Sequence, residues 1–90
     1  MEIKNNSEIW FNDALVTRFS AEVKSLNWYY DHKHILFQVG KEIRVMDPDG
    51  LNNIKLVDLD SDSVSQFLPY DDGKSLLYKD GDDVKKVRIK

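Results

Sequence analysis

The chain has no cysteine, so disulfides, thiolate zinc sites and cysteine nucleophiles are all excluded. It holds only two prolines and four glycines, and the glycines stand apart at Gly40, Gly50, Gly73 and Gly81. They read as turn residues, not as a loop that cradles phosphate. No apolar run approaches the ~18 residues of a membrane span, and the first residues lack the charged-then-apolar profile of a signal peptide. No membrane insertion is expected. There is no basic stripe of the kind that follows a phosphate backbone, and the net charge is −3. Lys85, Lys86, Arg88 and Lys90 form a tail with alternating apolar residues and read as a solvated strand face or edge, so no nucleic-acid partner is expected. Helical periodicity is missing as well: turn signals interrupt the apolar pattern every 5–10 residues.

What is present is a succession of short β-rich segments. With 41% hydrophobic and 32% charged residues over 90 positions, one soluble globular domain is expected. Strands are predicted at residues 8–12 (EIWFN), 15–19 (LVTRF), 23–28 (VKSLNW), 35–39 (ILFQV) and 42–46 (EIRVM). Further strands are predicted at 54–59 (IKLVDL), 64–68 (VSQFL), 76–79 (LLYK) and 87–89. Residues 1–4 form a short alternating stretch. Asp47-Pro48-Asp49-Gly50 is a turn with a mechanism, since proline fixes φ and glycine accepts φ > 0. Segment 35–39 is apolar on both faces, which places it between sheets and not on a half-wet surface.

The chain repeats itself. Val23, Leu26, Asp31, Lys33, Ile35, Leu36, Phe37 and Gly40 recur as Val64, Phe67, Asp72, Lys74, Leu76, Leu77, Tyr78 and Gly81, each 41 residues on. A longer loop is expected after Gly81, which would set Val87 and Ile89 opposite Ile43 and Val45. Glu8, Ile9, Phe11 and Asp13 match Glu42, Ile43, Val45 and Asp47, each 34 residues on. A period of ~40–45 residues with four strands is the signature of a propeller blade. The expected architecture is therefore all-β: about two four-stranded antiparallel β-propeller blades, permuted. Residues 1–19 are the outer strands of one blade, 20–59 a complete blade, and 60–90 most of another.

The motifs W-x-x-D-x-K-x-I-L-F at 28–37, I-R-V-M-D-P-D-G at 43–50 and P-x-D-D-G-K-x-L-L-Y at 69–78 resemble TolB-type, WD-like β-propeller repeats. They are similar to those in bacterial envelope proteins that combine such repeats with PEGA domains, and the resemblance implies an envelope setting. The sequence departs from the pattern where His32 replaces the turn glycine and Pro69 the tryptophan. It departs in blade number too, because propellers have ~4–8 blades. Bare blade faces at each end would be covered if chains associate head to tail, so a homo-oligomeric ring of three or four chains is expected. N-terminal strands could swap into a neighbour's blade. The alternatives are a fragment of a longer chain, natural or engineered, whose only property is assembly, and a compact monomer with rearranged terminal strands.

Candidate chemistry is sparse. Asp58-x-Asp60-x-Asp62 resembles the start of a calcium loop, but it lacks the glycine and the closing glutamate, so it reads as a polar turn. Asp47, Asp49, Asp80, Asp82 and Asp83 read as turn and loop acids, and His32 and His34 as exposed turn residues without a third metal ligand. None of Ser20, Ser25, Ser61, Ser63, Ser65 and Ser75 lies in a nucleophile-elbow context. No catalytic residue, cofactor or metal site is expected. Trp10, Tyr29, Tyr30 and Tyr70 are the candidate ligand-binding aromatics, suited to a glycan or a peptide, whereas Trp28 reads as packing. The expected function is a non-enzymatic scaffold or interaction module, with a propeller accessory to a hydrolase as the least supported reading.

Overall fold

The computed structural model of the protein describes residues 1–29 and 33–89. Among them there is no helix. Ten strands form three antiparallel sheets. The first sheet holds β1 (Glu2–Lys4), β2 (Glu8–Phe11) and β3 (Ala14–Arg18) in that order. The central sheet is a four-stranded meander of β4 (Val23–Trp28), β5 (Ile35–Val39), β6 (Glu42–Met46) and β7 (Ile54–Asp58). The third sheet holds β8 (Phe67–Tyr70), β9 (Ser75–Asp80) and β10 (Asp83–Arg88). All three are meanders, since strands adjacent in the sequence are also neighbours in each sheet. At Asn12-Asp13, both residues take positive φ, as the favoured two-residue hairpin turn requires.

The sheets stack face to face, and the alternation of β5 shows why. Every residue of this strand is buried. Ile35, Phe37 and Val39 pack with Met46 and Val23 against Ile9 of the first sheet, with Ile3, Val16 and Phe19 at the margin. Leu36 packs with Ile43, Val57 and Leu59 against Phe67 and Leu76 of the third sheet. Two-residue periodicity thus sends one strand's side chains into two separate cores. Each large apolar side chain so buried contributes ~1.5–3 kcal/mol relative to exposure, which makes β5 the main source of cohesion between layers.

Gln38 is the one polar residue of β5, fully buried on the side of the third sheet. Its amide donates to the carbonyls of Ser63 at 2.9 Å and Gly40 at 3.2 Å, and its oxygen accepts from the Ser65 N–H at 2.6 Å. Gln38 thereby satisfies the backbone of the segment that crosses from β7 to β8. Asp80, at the end of β9, holds the same segment from the other side: it accepts from the N–H groups of Asp60 at 2.9 Å and Ser61 at 2.8 Å.

Three boundaries differ from the sequence expectation. Residues 2–4 are a strand, because Ile3 pairs with Ile9 and joins the core beside it. The strand expected at 64–68 runs over Phe67–Tyr70 instead, with Val64 exposed. Pro69 stands inside it, where the sequence suggested a turn, and is tolerated because β8 is an edge strand. The longer loop expected after Gly81 does not form. Gly81 takes φ +63°, as Gly40 takes φ +57°, and each opens a two-residue turn. The offset of 41 therefore persists through β10, and Val84 and Lys86, not Val87 and Ile89, occupy the positions of Ile43 and Val45.

Candidate functional site

Among the described residues, the expected binding aromatics Trp10, Tyr29 and Tyr70 are not brought together. Tyr29 is buried in the core between the central and third sheets, and its hydroxyl donates to the Gly73 carbonyl in the β8–β9 turn. It ties two layers together, so its ring is not presented to a ligand: the residue follows the end of β4 at the depth of the core. Tyr30 lies outside the described residues, as does His32. Trp10 sits on the outer face of the first sheet, because its neighbour Ile9 points inward. Tyr70 sits on the outer face of the third sheet, on the side opposite Phe67 and Pro69. The two half-buried rings thus stand at opposite ends of the stack. Trp28 packs edge-on against Phe11, with ring centres 5.5 Å apart, bridging the first and central sheets.

Each outer ring lies beneath an ammonium. Lys4 Nζ stands 4.2 Å from the centre of the Trp10 ring, and Lys86 Nζ 5.7 Å from that of Tyr70, both within the range of a cation–π contact. Trp10 Nε1 also donates to Glu8 Oε1 at 3.1 Å. Glu8 further accepts from Asn5 Nδ2 at 3.0 Å and from Arg18 Nε at 2.8 Å. The Trp10 bond first, then those of Arg18 and Asn5, hold its carboxyl below the ordinary value.

The acids read from the sequence as turn residues separate into different roles. Asp80 is buried and structural, contrary to its reading as a loop acid. Its carboxyl is lowered chiefly by the backbone N–H groups of Asp60 and Ser61, and then by Lys85 at 3.0 Å. Lys85, held between Asp80 and Asp60, is pushed up to about 12. Asp62 pairs with Lys24, so the Asp58-x-Asp60-x-Asp62 run does not converge on one point. His34 pairs with Asp47 at 3.2 Å. Among the described residues, no group of three or more His, Cys, Asp or Glu side chains is placed to hold a metal.

The open surface most like a binding face is the outer side of the third sheet. Strand alternation places Leu68 and Tyr70, Ser75, Leu77 and Lys79, and Val84, Lys86 and Arg88 on it. Leu68, Leu77 and Val84 are 58%, 39% and 68% exposed and border a groove of about 240 Å³. Sequence reasoning missed this face because its alignment of β10 was displaced. With an offset of 41, Tyr70, Leu77 and Val84 are the counterparts of Tyr29, Leu36 and Ile43, the residues with which the central sheet grips the third. Lys79 and Lys86 stand where the central sheet has Gln38 and Val45, so cations rim the apolar patch. No protein-family model, curated protein or solved structure matches the chain at a significant level, so the site is interpreted from its own residues.

Proposed function

We propose that the protein is a non-enzymatic β-propeller-type scaffold or interaction module whose sheets act as blades and which assembles with copies of itself, head to tail. The stacking of the sheets carries this reading: one layer is gripped on both faces, and the next keeps the gripping residues on its open face. Repeat proteins without a capping layer expose such a face, and it is satisfied by another repeat. A closed assembly of three or four chains would present the β-turns around a central channel to a protein, peptide or glycan. Small-angle X-ray scattering tests the reading. The expected curve has a radius of gyration well above the 12.3 Å of one chain and a dip in density at the centre. A curve that fits one isolated chain at every concentration would overturn it.

A second reading is a glycan- or peptide-binding module, favoured by the two outer rings Trp10 and Tyr70. A glycan array read against a Trp10→Ala, Tyr70→Ala double variant separates it from bare assembly: binding by the parent and loss in the variant would support the module. The reading as non-enzymatic is itself open to test, since turnover in a hydrolase screen, abolished by a single substitution, would contradict it.

A further inference from the structure

We infer that the outer face of the third sheet docks on the outer face of the first sheet of a second copy, an inference that rests on the head-to-tail reading and names its two surfaces. Continuity with the interface already inside the chain is the first argument. The central sheet meets the third through Tyr29, Leu36 and Ile43, and the third presents Tyr70, Leu77 and Val84 at the equivalent positions. A face that repeats a packing surface fits a sheet, not a helix or a small molecule.

Charge selects which sheet. The outward strand residues of the third sheet include Lys79, Lys86 and Arg88 and no carboxylate. Two such faces packed together would oppose cation to cation, which disfavours a symmetric pair. The outward residues of the first sheet are Glu2, Lys4, Glu8, Trp10, Leu15 and Arg18. On this face charge is balanced internally, Glu2 with Lys4 at 3.6 Å and the buried Glu8 with Arg18 at 2.7 Å, and at its centre Trp10 lies directly beside Leu15, which is 43% exposed. It offers an apolar patch without net charge to an apolar patch with cations at its edge, and so avoids the repulsion of the symmetric pair. Unlike faces on one chain give a heterologous contact, which propagates until a ring closes or a filament grows.

The test uses two variants, each spoiling one face. Leu77→Arg alters the third sheet beside Lys86, and Leu15→Lys sets a cation on the first sheet against those of the third. Both sites are exposed, so folding should survive, and circular dichroism checks it; Val84→Arg is the reserve should Leu77→Arg not fold. Each variant alone is expected to lose self-association and run as one chain. Mixed in equal amounts they are expected to form a two-chain particle that grows no further, because one intact face of each kind remains. Wild-type assembly that survives both substitutions would overturn the choice of faces and leave the head-to-tail reading standing. Loss of assembly in both variants, with no pairing on mixing, would point to a symmetric contact and overturn the inference. A wild-type chain that is monomeric at high concentration would overturn both.

Discussion

Single polar groups decide how firmly the layers are joined. Tyr29 illustrates this: its ring belongs to the core, while its hydroxyl reaches a backbone carbonyl in the next sheet. Tyr29→Phe keeps the ring and removes the bond, and it is expected to cost ~1 kcal/mol, read as a lower urea midpoint with an unchanged slope. Tyr70→Phe should leave the stability of the single chain unchanged, because its hydroxyl has no equivalent layer to reach within the chain. Glu8 and Asp80 give the fold its acid sensitivity. Both carboxyls lie below their ordinary values of 4.5 and 3.8, so their charged forms favour the folded state. That contribution is complete above those values and disappears as pH falls through the lowered ones. Urea midpoints should therefore drop as the solution is acidified below about pH 4, and Asp80→Asn should flatten part of the drop while lowering stability at neutral pH. Lys85 has the opposite sign: its contribution is complete below 10.5 and is lost as pH rises through about 12.

Turns and strands set where the layers meet. Gly50 closes the turn after β6, at φ +88°, and a Cβ there would lie 2.8 Å from the Val16 carbonyl oxygen of the first sheet. Gly50→Ala must therefore displace backbone as well as adopt a left-handed conformation, and should cost more than the ~1–2 kcal/mol of the conformation alone. Gly40, at φ +57°, has only the Ala21 Cβ at 3.8 Å, so Gly40→Asn should be close to neutral. Thermal melts of the two variants check the contrast. The same elements show what the sequence could and could not reveal. Strand 35–39 was legible because apolar residues on both faces have one explanation, a layer on either side. β8 was misplaced because Pro69 looks like a turn residue, and nothing local says that an edge strand will accept it. The misreading of β10 followed from pairing hydrophobic with hydrophobic: Val87 and Ile89 look like better matches to Ile43 and Val45 than Val84 and Lys86 do. The two-residue turn at Gly81 overrides that preference. Its consequence reached the candidate site, since the displaced alignment hid the equivalence of Val84 with Ile43. Asp80 was opaque for another reason. Its partners are backbone N–H groups 19 and 20 residues away, which only the folded crossing segment brings near.

At the scale of the whole molecule, the all-β composition and the stacking of short antiparallel sheets follow from turn spacing and strand alternation. The open face of the third sheet supports the proposed blade architecture and assembly. Light scattering on a size-exclusion column, at two concentrations, tests the central claim most directly. A sharp mass of three or four times the 10.5 kDa of one chain, unchanged on dilution, is the result expected of a closed head-to-tail assembly. A clean monomer at both concentrations would contradict it.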